Sequence, residues 1–314
     1  MSADAPRTPE AAIPDPLLLL PLRQRLAERS LAVRAVHVIR PGREDVVHRF
    51  VDDTAENVYS VSKTVTALGV GIARAEGLLD LEDRAVDHLP SPEGRYGEGV
   101  GDVTIRHLLT MTSGSPVTAF AQEERDHRDL TSLYLETPLV REAGSAFEYS
   151  NGGPFLLSRI IEQRTGETLR DWLMPRLFQP LDIVNPQWHT TVDGHSWGAT
   201  GLHLKSGEMA RIGEVLLGRG TVDGAELVPA EWVDLMHAED TWVPTAWPDP
   251  DNARYGLGVW ASQPDGAWRA DGAYGQFLLV LPEQEALVAI TSHIENGGAN
   301  GVLAAVREEL IPLL

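Results

Sequence analysis

Ser60 and Lys63 stand three residues apart in the stretch SVSKTVTALGVGIARAEG, residues 60–77. Lys63 is one of two lysines among 26 basic residues; the other is Lys205 and the rest are arginines. A hydroxyl is a weak nucleophile and needs a neighbouring base. A lysine serves as that base only as the neutral amine, a form favoured by burial and by the positive end of a helix. Arginine cannot take the role, because its guanidinium stays protonated. Helical spacing puts both side chains on one face. On these two residues alone, a capping serine and a surface lysine account for the pattern equally well.

A second group lies in FEYSNGGPFLL, residues 147–157. Tyr149 beside a cation can be held as phenolate and can relay protons to a leaving group. The Asn151 amide can bind a substrate carbonyl and the lysine. The plainer reading is a packing tyrosine and an asparagine that caps the following helix. A third group lies in RADGAYGQFLLVLP, residues 269–282, where Gly272 and Gly275 flank the start of a strand. Glycine there lets a backbone or a ligand approach closely. A strand-edge N–H, paired with that of the nucleophile itself, forms an oxyanion hole. A hairpin turn is again the plainer reading.

The elements that must position these groups follow from periodicity and punctuation. A helix is expected over about 16–29. Strands at 31–39 and 46–51 form a hairpin around the turn at 41–45. The stretch from Ser60 runs four turns to Gly77, a residue suited to the C′ position. Further helices are expected over 104–114, with Thr104 as cap, over 153–166, over 168–181 with a break at Pro175, and over 206–220. Short strands follow at 255–262, 275–282 and 286–293, and a helix at 301–314 closes the chain. Strands thus sit at both ends and helices between them. The economical arrangement is α/β (α+β), with an antiparallel sheet flanked by helices and an inserted, mostly helical lobe. Residues 1–14 form a flexible arm, 15–60 and 182–314 the α/β lobe, and 61–181 the helical lobe, with the site in the cleft between them.

Bulk properties exclude several classes. The 314 residues are 43% hydrophobic and 23% charged, with a net charge of -20. That balance repels nucleic acid and anionic lipid, and admits neutral or cationic small molecules more readily than polyanions. Cysteine is absent, which rules out a disulfide framework and a thiol nucleophile. The ten histidines show no metal-ligand spacing, so neither metal nor cofactor is expected. LLLLPL at 17–22 is too short to cross a bilayer. The opening MSADAPRTPEAAIPDP does not read as a signal peptide, and a cytoplasmic location is expected.

With these groups in this order the chain resembles the serine β-lactamase-like hydrolases, which include class C β-lactamases, D,D-peptidases and related esterases and amide hydrolases. YSVSKTVTALGVGIARAEGLLDLEDRAVDHLP is similar to the family's nucleophile helix and the segment after it. TIRHLLTMTSG, YSNGGPFLLSRIIEQRTGETL and GATGLHLKSGEMARIGEVLLGRG are similar to three further blocks, so the resemblance covers about residues 30–293. It implies a β-lactamase/transpeptidase-like fold. It also implies Ser60 as acylated nucleophile, Lys63 as its base, Tyr149 as partner base and acid, and Asn151 in substrate binding. The N–H groups of Ser60 and Ala273 would form the oxyanion hole, with Gly272 and Tyr274 beside it. The implied activity is hydrolysis of small esters or amides through an acyl-enzyme. Acyl transfer by the same intermediate, weak β-lactamase or D-amino-acid peptidase activity, and a silent acyl-ligand-binding relative are the alternatives.

Departures refine this. Penicillin-recognising members carry Lys or His, a small residue and Gly where this chain has Ala270, Asp271 and Gly272. The cation that would hold a substrate carboxylate is missing. The Gly272–Gln276 segment is more similar to the esterase and 6-aminohexanoate-dimer hydrolase branch. Met111 stands where the family has histidine, with no assigned consequence. The stretch 239–256, with Trp242 and Trp247, is either a pocket rim or surface cover.

Overall fold

The computed structural model describes residues 17–89, 91, 94–295 and 298–314. The expected arm at 1–14 lies outside the described residues. The centre is an antiparallel sheet of eight strands in the order Val46–Arg49, Val33–Ile39, Ala286–Ser292, Gln276–Leu281, Trp268–Gly272, Trp260–Ala261, Arg254–Tyr255, Val243–Pro244. The N-terminal hairpin therefore docks on the last strand of the chain, with Val36 opposite Ile290.

All six residues of Gln276–Leu281 are buried, because both faces of the sheet are covered. Alternation along the strand sends Leu278 and Val280 into a core shared with the helices Val61–Ala75 and Ser206–Leu217. Phe277, Leu279 and Leu281 enter a second core with Leu20–Glu28 and Asn300–Glu309. The helix Val61–Ala75 is buried at every position from Val61 to Ala73, as a helix apolar on all sides must be. Its outer neighbours are Gly152–Thr165, Leu169–Leu173 and Ala230–Met236. A second, three-stranded sheet of Glu56–Asn57, Leu202–Leu204 and Gln187–Trp188 feeds the chain into Ser60.

Three expected elements differ from the structure. The helix over 104–114 is capped by Thr104 but covers only Ile105–Leu109. It stops because Met111 turns to φ 60° and gives its carbonyl to Glu148 N–H at 2.8 Å. The single strand over 255–262 is two short ones, Arg254–Tyr255 and Trp260–Ala261. Between them Gly258, at φ 76°, presses on the buried helix, where a Cβ would lie 2.8 Å from that of Ala67. The segment 168–181 breaks one residue before Pro175, passing from α-helix Leu169–Leu173 into a π turn, Met174–Phe178, and a 3-10 turn, Gln179–Leu181. Proline lacks the N–H that would continue the α ladder. Among the described residues no helix is long and apolar enough to cross a membrane.

Candidate active site

Ser60 and Asn151 occupy the N-cap positions of the helices Val61–Ala75 and Gly152–Thr165, yet neither side chain caps its helix. Both are turned to Lys63 instead. Lys63 Nζ lies 2.9 Å from Ser60 Oγ, 2.7 Å from Asn151 Oδ1 and 2.9 Å from the Ala199 carbonyl. The capping alternative therefore fails for both residues. Asn151 Nδ2 donates to Ala119 O at 3.4 Å, which fixes the amide with its oxygen towards the amine. Thr66 Oγ1 holds the Gly198 carbonyl at 2.6 Å and so anchors the turn that supplies Ala199.

Lys63 is only 2% exposed, and this burial lowers its pKa to about 7, with Asp271 opposing the shift. A neutral amine has two hydrogens and one lone pair. Asn151 Oδ1 and Ala199 O can only accept, so they take the hydrogens. The lone pair then faces the Ser60 hydroxyl, the geometry of a general base.

Tyr149 is half-buried beside them, its ring centroid 4.9 Å from Lys63 Nζ. Burial pushes the phenol well up and a hydrogen bond with Ser60 pulls it back; burial is the larger influence. The resting group is therefore a phenol, and the expected phenolate does not follow from this environment.

The approach to Ser60 is constrained. Tyr59 adopts φ 48°, a conformation that costs roughly 1–2 kcal/mol for a residue with a Cβ. Asn57 Oδ1 holds it there by accepting from Tyr59 N–H at 2.8 Å and from Gly201 N–H at 3.2 Å. On the other side, the strand Trp268–Gly272 ends against this same segment. A Cβ on Gly272 would collide with the Val58 carbonyl oxygen, so glycine is required for the close approach. Among the described residues, neither Ser60 N–H nor Ala273 N–H meets a protein acceptor. Two unpaired donors at such a junction suit an oxyanion. Tyr274 is exposed at the rim, its ring 4.8 Å from that of Tyr59 and stacked 5.0 Å from that of His293.

Sequence reasoning missed much of the wall. Phe147, Trp247, Tyr255 and Trp260 surround Tyr149, with ring centroids 5.6–6.5 Å away. Met111 packs in the same group; it stands behind the phenol. Through Trp247 the stretch 239–256 meets Tyr149. Arg269 has no exposed surface; its Nε and one terminal nitrogen hold Asp271 Oδ2 at 3.0 and 2.7 Å. Residues two apart on a strand share a face, a signal for this pair that was present in the sequence. Among the described residues no three acidic or histidine side chains converge as a metal site.

The model of the family described as Beta-lactamase matches residues 22–311, and the chain belongs to that family. Over 157 residues it is 27% identical to "Protein flp" of Staphylococcus aureus (strain N315), covering 48% of this chain and 32% of that one. Over 130 residues it is 33% identical to "Penicillin-binding protein 4*" of Bacillus subtilis (strain 168), covering 38% and 28%. The matches thus span about a third of these curated relatives. In structure it is similar to a putative 6-aminohexanoate-dimer hydrolase from Bacillus anthracis, with a TM-score of 0.73 at 20% identity over 93% of this chain and 83% of that one. That likeness is one of fold: the β-lactamase/transpeptidase fold expected from the sequence.

Proposed function

We propose that this member of the family is a serine hydrolase that cleaves small esters or amides through an acyl-enzyme on Ser60. The observation that carries this reading is the buried amine of Lys63, whose two fixed acceptors leave its lone pair for the Ser60 hydroxyl. Ser60 Oγ attacks the acyl carbon and its proton passes to Lys63. The carbonyl oxygen, now negative, rests on the N–H groups of Ser60 and Ala273. Tyr149 gives its proton to the departing oxygen or nitrogen, and the phenolate so formed is steadied by the adjacent ammonium. Water then attacks the ester and gives its proton to Tyr149. Lys63 returns the first proton to Ser60. Each carrier ends as it began, and one hard step becomes two easier ones.

Ala270 is buried and apolar, Asp271 is acidic, and Arg269 is fully enclosed and held by Asp271, so no cation on this strand is open to a β-lactam carboxylate. Nitrocefin turnover is expected to be slow or absent. The direct test is hydrolysis of p-nitrophenyl acetate and butyrate by wild type and Ser60→Ala. The reading requires the variant to be inactive; an unchanged rate would overturn it.

A further inference from the structure

Asp271 is not used by the chemistry above, yet it lies at the chemistry. Arg269 sits behind it with no exposed surface, while the Asp271 side chain keeps 27% of its area open. Both guanidinium contacts fall on Oδ2, and among the described residues no hydrogen bond reaches Oδ1. Arg269 is itself committed elsewhere, to the carbonyls of Asp251 and Ala261 and to Asn252 Oδ1. The positive partner is therefore enclosed, while the negative one keeps part of its surface open.

The surroundings are aromatic. The Arg269 guanidinium lies 5.9 Å from the Trp260 ring. Trp260 stacks on half-exposed Trp247 at 5.1 Å and packs on Tyr149 at 5.6 Å. Asp271 also acts electrostatically on Lys63, Tyr149 and Tyr255. A carboxylate that keeps part of its surface open near stacked indoles is a setting for an organic cation, which gains from both the charge and the ring faces. Burial raises the Asp271 carboxyl above its ordinary range and Arg269 draws it back. A carboxylate ligand would be repelled. The net charge of -20 acts in the same sense at long range.

The side of the scissile bond follows from Tyr149. If Tyr149 protonates the leaving group, the wall shared by Tyr149, Trp260 and Asp271 bounds the leaving-group half of the cleft. Resting on the hydrolase reading, we propose that this half of the site selects substrates whose leaving group carries an ammonium, with Asp271 as its counter-ion and Trp247 and Trp260 as its aromatic wall.

Acetylthiocholine and its uncharged carbon isostere, S-(3,3-dimethylbutyl) thioacetate, differ in that one charge. The wild type is expected to favour the cationic thioester by at least about tenfold in kcat/KM, mostly through KM. Asp271→Asn keeps an acceptor for Arg269 and should bring the ratio towards one. Trp247→Ala should lower it by about two- to fivefold. A ratio near one in the wild type, or one that Asp271→Asn leaves unmoved, overturns the inference while the hydrolase reading stands. Turnover of neither thioester counts against the hydrolase reading. Calorimetric binding of both thioesters to Ser60→Ala then decides the inference alone: tenfold tighter binding of the cation supports it, and equal binding overturns it.

Discussion

Among the described residues two serine–base pairs occur, and only one has the setting of a catalytic site. Ser60 meets Lys63 at the start of one helix. Ser206 meets His37 at the start of another, with His37 Nε2 3.0 Å from its hydroxyl. Burial lowers both bases, Lys63 to about 7 and His37 to about 4. Lys63 is thus poised to accept a proton near neutrality, whereas His37 stays neutral there and is the weaker base. The differences lie around the hydroxyls. Ser60 is partly open, its N–H meets no acceptor among the described residues, and its hydroxyl lies beside Tyr149. Ser206 is 5% exposed, and its N–H is taken by Asp53 Oδ1 at 2.7 Å. Its own N–H is therefore not free for an oxyanion. A nucleophile and a neutral base are thus insufficient; access, unpaired donors and a nearby acid complete the site.

Substitutions can break this contrast. Ser60→Ala should lower ester hydrolysis by about 10,000-fold or more, the scale seen when a covalent nucleophile is removed. Lys63→Arg, a charged replacement that cannot deprotonate, should cost about 100- to 10,000-fold, and so should Tyr149→Phe, which removes the leaving-group acid. For Tyr149→Phe the loss should be greater for an alkyl ester than for p-nitrophenyl acetate, whose leaving group needs little protonation. A uniform loss would remove the acid role.

The two bases should also titrate into different observables. The active form of Lys63 is neutral, so kcat/KM should rise with pH through about 7. His37 instead reads out in stability. Its unfolded form gains a proton below about 6.5, whereas the folded one resists until about 4. Stability should therefore fall as pH drops through that window, and urea midpoints of His37→Gln should fall less steeply there. The smallest effect is expected from Ser206→Ala: esterase activity within about twofold, and a loss of about 1–2 kcal/mol from a buried hydrogen bond. A large activity loss in that variant would erase the distinction between the pairs.

How far the site could be read from sequence depended on what each part is made of. Ser60, Lys63, Tyr149 and Asn151 could be singled out from side-chain type together with the family resemblance, and the fold brings their side chains together. The sheet was legible through apolar strands at both ends of the chain. The Ala199 carbonyl was not, since a backbone group leaves no trace in residue identity. The aromatic wall draws on positions 147, 247, 255 and 260, which only the fold brings together. The shortened helix after Thr104 and the split strand at Gly258 share one cause. Local propensity favoured continuation, while packing behind Tyr149 and against Ala67 required a turn.

The most direct test of the central claim is to treat the protein with a fluorophosphonate probe and locate the adduct by peptide mass spectrometry. One adduct on Ser60 is predicted, slowed strongly in Lys63→Arg, with Ser206 unmodified. No adduct, or one on Ser206, would contradict the account.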